Sequence, residues 1–242
     1  MKNNDQIYIK EIFSSIQGES NYVGYKQLFI RFCKCNLNCK FCDTDFSSDL
    51  NSKLLYTPEK LITEIDNMQD DLKTIHSISF TGGEPLLFYD FINNFINLFN
   101  NKYCNSKIKF FLETNGTLYQ NLKKIIEKID IISMDIKLNS VTNTGNLFNL
   151  HENFLEVAKN KELFIKIVFD SNITNDEIIK CCNLAKKYNR EIILQPESKA
   201  LLDVLKSNNP DKFNFYEIFN KFLHNYNQVK LIPQVHKFLN LA

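Results

Sequence analysis

Residues Gln27–Phe46 read QLFIRFCKCNLNCKFCDTDF. The opening seven, QLFIRFC, form an apolar run of strand length broken by one charge, Arg31. The run leads straight into a loop that carries four of the seven cysteines of the chain. Working outward, the same succession recurs: a short apolar run, then a polar or glycine-rich motif. Ser77–Phe80, Ile108–Leu112, Ile129–Met134, Leu163–Phe169, Glu191–Leu194 and Val229–Ile232 read as further short buried strands. Amphipathic helices lie between them. Thr57 followed by Pro58 is an N-cap and first-position pair, with Leu61, Ile62, Ile65 and Met68 on one face. Thr174 with Glu177 forms a capping box ahead of Ile178, Cys181, Cys182 and Ala185. Alternating strands and helices predict an α/β fold with a mainly parallel sheet under helices. In such folds ligands bind at the carboxyl ends of the strands.

Composition narrows the classes. Of 242 residues, 44% are hydrophobic and 24% charged, an ordinary globular balance that excludes a disordered or collagen-like chain. The length suits one domain spanning residues 1–242. Lys plus Arg number 29 against 28 Asp plus Glu, and a net charge of +1 argues against nucleic acid or an anionic membrane as partner. No apolar run reaches the roughly 20 residues of a membrane span. The opening Met1–Gln6 lacks the apolar core of a signal peptide, so a cytoplasmic location is expected.

Reducing surroundings turn clustered cysteines toward metal or redox chemistry and away from disulfides. Cys35, Cys39 and Cys42 have the spacing C-x3-C-x2-C, which lets one short loop present three thiolates to a common centre. Thiolates select zinc or iron–sulfur clusters. A closed zinc site takes four ligands, often as two pairs, and no second pair follows here. Three thiolates on a cubane cluster leave one iron open to a small molecule. Both the zinc knuckle and the open cluster remain readings of the spacing alone. Cys33 reads as packing on its strand, as do Cys104, Cys181 and Cys182 elsewhere.

The other strand ends also carry polar groups. Thr81-Gly82-Gly83-Glu84-Pro85 offers two glycines for a sharp turn and a carboxylate suited to an ammonium group. Glu113-Thr114-Asn115-Gly116 ends the next strand, Ser133-Met134-Asp135-Ile136-Lys137 the one after, and Gln195-Pro196 a later one. Each alone reads as a loop or cap; together they describe one shared pocket. Upstream, Ile16-Gln17-Gly18-Glu19 and Arg31 bring an amide, an acid and a guanidinium close together, a set that suits a carboxylated heterocycle.

The cysteine spacing, with the Gly-Gly-Glu-Pro stretch after it, resembles the radical S-adenosylmethionine superfamily. Ser-x-Gln-Gly-Glu, Gly24, Phe-x-Arg, Cys-Asn-Leu-x-Cys-x-x-Cys-Asp-Thr and the closing Ile232–Lys237 resemble its 7-carboxy-7-deazaguanine synthase family over nearly the whole chain. The resemblance implies a partial TIM-type barrel of about six parallel strands with helices outside. It implies a [4Fe-4S] cluster on Cys35, Cys39 and Cys42, whose fourth iron binds S-adenosylmethionine. Reductive cleavage then gives a 5′-deoxyadenosyl radical that abstracts hydrogen. Phe41, Asp43, Gly83, Glu84, Glu113, Ser133, Lys137 and Gln195 are the implied S-adenosylmethionine contacts. Ile16, Gln17, Gly18, Glu19, Arg31, Thr81 and His236 are the implied contacts to 6-carboxy-5,6,7,8-tetrahydropterin. Thr44 is the implied Mg2+ ligand, in keeping with that ion's oxygen preference. The implied product is 7-carboxy-7-deazaguanine, formed with loss of ammonia on the way to queuosine. Implied partners are a reducing flavodoxin or ferredoxin and a second copy of the chain. A glycyl-radical activase of the same superfamily is the alternative enzyme, and a non-catalytic zinc module the alternative of another class. Lys34 stands where the family commonly has Gly, beside the additional Cys33.

Overall fold

The computed structural model describes residues 6–40, 42, 54–68, 70–207 and 213–241. Nine strands are described: β1 Ile7–Ile16, β2 Lys26–Phe32, β3 Leu54–Tyr56, β4 Ser77–Gly82, β5 Lys109–Thr114, β6 Ile131–Asp135, β7 Glu162–Phe169, β8 Ile192–Pro196 and β9 Val229–Leu231. They form one sheet in the order β3-β1-β2-β4-β5-β6-β7-β8-β9. From β2 through β9 every neighbouring pair is parallel. β1 is antiparallel to β2, and β3 antiparallel to β1. The helices are α1 Pro58–Asn67, α2 Tyr89–Lys102, α3 Tyr119–Ile125, α4 Asn139–Thr142, α5 Phe148–Val157, α6 Asn175–Tyr188, α7 Ser198–Ser207, α8 Phe215–Asn225 and α9 Val235–Leu239. This is the expected partial barrel, with seven parallel strands where about six were expected and two antiparallel strands added at one edge. No helix among the described residues is long and apolar enough to cross a membrane.

Strand side chains point to opposite faces in turn. One set, including Leu28, Ile30, Phe32, Ile78, Phe80, Leu112, Met134, Ile167 and Leu194, enters the main core under the helices. α1 supplies Leu61, Ile62 and Ile65 to that core, and α2 supplies Phe91, Phe95 and Phe99. The other set faces inward and divides by height. Phe111, Ile131, Phe164 and Ile193 form a small apolar layer, against which Tyr22 and Ile232 pack. Two residues further along the same strands stand Glu113, Ser133, Lys166 and Gln195, which line a cavity. A dry floor therefore lies under a polar chamber, and each strand writes that division in a spacing of two.

The seven runs foreseen in the sequence are all strands. Their carboxyl ends extend beyond the apolar pattern: β4 includes Thr81 and Gly82, β5 Glu113 and Thr114, β8 Gln195 and Pro196. Hydrogen bonding between backbones continues after the side chains turn polar. No apolar run marks a strand ahead of Gln27, yet β1 is a ten-residue strand that ends at Ile16. The foreseen caps form as read. Thr57 accepts from Lys60 N, and Thr174 and Glu177 make a reciprocal capping box on α6.

Candidate active site

The cavity at the strand carboxyl ends holds about 280 Å3. Cys35, Cys39 and Cys42 rim it from the loop after β2. Backbone bonds shape that loop: Cys42 N donates to Cys39 O at 3.1 Å, and Lys40 N donates to Thr142 O at 3.0 Å. Burial raises the Cys35 thiol above its ordinary value and pushes Cys39 up to about 11. Cys33 is 2% exposed and sits in the core, the place expected for it. None of the seven cysteines is in a disulfide.

The turn after β4 is stitched to the start of this loop. Gly83 N donates to Phe32 O at 3.1 Å, and Glu84 N to Lys34 O at 2.7 Å. Such proximity excludes a side chain: a Cβ on Gly83 would stand 1.9 Å from the Lys34 carbonyl oxygen. Gly82 has φ +103°, a conformation that glycine adopts without strain.

Glu84 is fully buried, and its carboxyl group is occupied by hydrogen bonds. Oε1 accepts from Thr114 Oγ1 at 2.8 Å and from Leu86 N at 3.1 Å, while Oε2 accepts from Asn115 N at 2.8 Å. Burial raises its pKa to about 7 against these hydrogen bonds. The carboxyl group ties the end of β5 to the Gly-Gly-Glu-Pro turn.

Gln17 Nε2 donates to Glu113 Oε1 at 2.9 Å and to Gln27 Oε1 at 3.0 Å. Thr81 Oγ1 donates to Glu113 Oε2 at 2.5 Å. Arg31 Nε donates to Glu11 at 2.9 Å, and its guanidinium lies over the Phe13 ring, 5.4 Å from the centroid. His236 packs so closely on Gly18 that a Cβ there would stand 2.3 Å from Nδ1. Val235 N donates to Gly18 O at 2.8 Å, which joins the chain's last helix to the loop after β1.

A charged row crosses the chamber. Lys166 Nζ is 2.8 Å from Glu19 and 3.3 Å from Asp135, and Lys137 Nζ is 2.9 Å from Asp135. Burial opposes ionisation of Glu19, yet the Lys166 ammonium and the Gln234 amide outweigh it and hold the carboxyl down to about 2. Burial likewise opposes charge on Lys166, and the Glu19 and Asp135 carboxylates overcome it. Asp135 Oδ1 and Gln195 Oε1 are buried acceptors with no hydrogen-bond partner among the described residues. A chamber with such unfilled acceptors suits a ligand rich in N–H and O–H groups.

Residues 29–214 match the radical SAM superfamily. The chain is 32% identical to the 7-carboxy-7-deazaguanine synthase of Geobacter sulfurreducens over 96% of both chains. It is also 32% identical to that of Archaeoglobus fulgidus, over 96% of this chain and 97% of the relative. The chain belongs to the 7-carboxy-7-deazaguanine synthase family of the radical SAM superfamily. The fold agrees: the crystal structure of QueE from Escherichia coli superposes with a TM-score of 0.62 at 19% identity, covering 97% of this chain and 96% of that one.

Membership in this family implies a [4Fe-4S] cluster and S-adenosylmethionine. The donor set fits them: three thiols on one loop border a chamber that holds unfilled acceptors. Among the described residues no three His, Cys, Asp or Glu side chains are already gathered about one metal position. Of the residues singled out in the sequence of this synthase-family chain, Ile16, Gln17, Gly18, Glu19, Arg31, Cys35, Cys39, Cys42, Thr81, Gly83, Glu113, Ser133, Lys137, Gln195 and His236 all line the cavity. Phe41, Asp43 and Thr44 lie outside the described residues. Lys166 was not foreseen, although its signal was present: a single charge inside the apolar run LFIKIVF, as Arg31 is in QLFIRFC. Phe13, Phe29 and Gln234 also border the chamber and were missed, Phe13 because β1 was not read as a strand.

Proposed function

We propose that this chain converts 6-carboxy-5,6,7,8-tetrahydropterin to 7-carboxy-7-deazaguanine with loss of ammonia. The observation that carries this reading is that the thiol loop and the Gln17–Glu19–Arg31–His236 wall border one cavity. Cys35, Cys39 and Cys42 would hold the cluster, their loop drawing the three sulfurs together as iron displaces the thiol protons. When bound, the cluster and S-adenosylmethionine supply reductive cleavage and hydrogen-atom abstraction. The Gly83 turn, Glu113, Ser133, Lys137 and Gln195 would hold S-adenosylmethionine, with Phe41 and Asp43 beside it. Gln195 Oε1 and Asp135 Oδ1 are acceptors for its hydroxyl or amino hydrogens.

The pterin falls to the facing wall. Arg31 suits its carboxylate, since a guanidinium meets a carboxylate bidentately. Gln17, Glu19 and Thr81 suit the donor and acceptor edge of the ring, while Ile16, Gly18 and His236 close around it. Lys166 keeps Glu19 ionised, and Lys137 and Lys166 both pair with Asp135, so the chamber presents fixed charges to a reacting heterocycle and needs little reorganisation. Thr44 would give Mg2+ an oxygen ligand, and the ion would orient the substrate carboxylate. A flavodoxin or ferredoxin would deliver the electron, and the enzyme would work as a cytoplasmic homodimer.

The test is anaerobic reconstitution, reduction, and incubation with S-adenosylmethionine and the carboxypterin, followed by mass analysis. The carboxydeazaguanine mass is expected. A loaded, S-adenosylmethionine-cleaving protein that leaves the pterin unchanged would overturn the substrate assignment.

A further inference from the structure

Asn115, two residues past Glu113 at the end of β5, is 5% exposed and fixed from several directions. Its backbone N–H donates to Glu84 Oε2 at 2.8 Å, and its carbonyl lies 3.1 Å from His151 Nε2. The side-chain Oδ1 accepts from Thr117 N at 3.1 Å and from Thr117 Oγ1 at 2.6 Å. Two donors on Oδ1 settle which end of the amide is oxygen, so the NH2 group must point the other way. There it meets Asn36 Oδ1 at 2.9 Å and Cys35 Sγ at 3.8 Å. Asn36 Nδ2 donates back to Thr117 Oγ1 at 2.9 Å, which closes a ring of side-chain hydrogen bonds. Leu37 N is a second donor to the same sulfur, at 3.4 Å.

We infer that Asn115 is a positioning residue that donates its amide N–H to Cys35 Sγ and sets the reduction potential of the cluster Cys35 helps to carry. The inference rests on the proposed function, because it requires an iron–sulfur cluster on that sulfur. Reduction adds one electron, drawn in a titration from dithionite, and spreads negative charge onto the coordinating sulfurs. An N–H donor stabilises the more negative state more strongly, so it raises the potential and eases reduction. Thr117 acts through Asn115: its hydroxyl holds Oδ1 and keeps the NH2 group aimed at the sulfur. His151 and Glu84 anchor the backbone that carries the amide.

The experiment is an EPR-monitored redox titration of the reconstituted full chain and its variants, with iron counted for each sample. Asn115→Ala is expected to retain four irons and show a midpoint shifted to more negative potential. Thr117→Val, which removes one of the two donors that hold Oδ1, is expected to shift it in the same direction by a smaller amount. Asn115→Ser keeps a short donor and covers the case in which the alanine variant loses its iron. Midpoints equal to wild type in every iron-replete variant would overturn the inference. Failure of the wild-type protein to form any [4Fe-4S] cluster would instead overturn the functional reading beneath it.

Discussion

Lys166 on β7 bonds Glu19, the acid just beyond β1, at 2.8 Å. The pair spans the chamber and draws in Asp135 from β6 at 3.3 Å. Both side chains are largely shielded, 14% and 16% exposed, so removing the cation strands the Glu19 carboxylate in a poorly solvated place and leaves Asp135 with Lys137. Breaking one side of such a pair costs about 3–5 kcal/mol, more than the intact pair contributes. Lys166→Met should therefore destabilise the protein by about 3 kcal/mol and weaken pterin binding, while Lys166→Arg should recover most of both. Urea unfolding and ligand titration measure these separately. A methionine variant as stable as wild type would show that the ammonium does not hold the carboxylates.

Gly83 should tolerate no side chain. A methyl group there would stand 1.9 Å from the Lys34 carbonyl oxygen, inside the contact that registers the Gly-Gly-Glu-Pro turn on the cysteine loop. Backbone has to move, at a cost of about 1–3 kcal/mol. Gly83→Ala should lower the thermal midpoint and reduce iron incorporation together. Gly24 has open space around its Cβ but φ +95°, so Gly24→Ala should cost some stability and leave iron content alone. Equal iron content in the Gly83 variant and wild type would detach the turn from the cluster loop.

Much of the chamber was legible because strand geometry separates two tasks. Residues such as Phe80, Leu112 and Met134 mark where a strand runs, and the polar residue after an inward apolar neighbour marks where its ligand-facing end begins. Cysteine spacing and glycine pairs added local geometry that few side-chain sets can imitate. Reading by apolar pattern failed where polarity and strand coincide. β1 hides behind Lys10, Glu11, Ser14 and Ser15, which interrupt its apolar residues, most of which are partly buried or exposed. The Glu84 hydrogen bonds were hidden for the opposite reason. A carboxylate beside two glycines suggests an exposed ligand, and only the backbone N–H groups of Leu86 and Asn115 reveal that it turns inward. The Lys166–Glu19 pair joins residues 147 positions apart, and no local pattern encodes that distance.

Cys33 and Cys35 should part company under mutation. Cys33 is 2% exposed in the core, whereas Cys35, Cys39 and Cys42 rim the chamber. Cys35→Ala, Cys39→Ala and Cys42→Ala should each abolish the visible absorption of a reconstituted cluster. Cys33→Ala should keep it and cost about 1 kcal/mol through the lost buried sulfur. A colourless Cys33 variant would move that residue into the ligand set.

Arg31 combines a bond to Glu11 with a stacked Phe13 ring, so its guanidinium is held flat at the cavity wall. Arg31→Lys keeps the charge but loses the planar fork. It should weaken carboxypterin affinity by about tenfold, near 1.4 kcal/mol, and leave S-adenosylmethionine affinity unchanged. Arg31→Ala should weaken it further. Calorimetry with each compound separates the two sites, and a parallel loss for both would return Arg31 to a purely structural role.

His151 and Glu84 should give the fold opposing pH slopes. Burial holds His151 down to about 4 from 6.5, so below pH 6.5 the unfolded chain gains a proton that the folded one refuses. Stability contributed by His151 is therefore lost as pH falls from 6.5 toward 4. Burial lifts Glu84 to about 7 from 4.5, so between those values the unfolded chain ionises first. Stability contributed by Glu84 is lost as pH rises through that window. Each shift corresponds to about 3 kcal/mol, and the two nearly cancel between pH 4.5 and 6.5. Relative to wild type at each pH, His151→Gln should lose stability steadily from pH 4 to 6.5 and hold level above that. The comparison removes every group the two proteins share. Parallel stability–pH curves for variant and wild type would mean that His151 accepts its proton as readily in the fold as in the open chain.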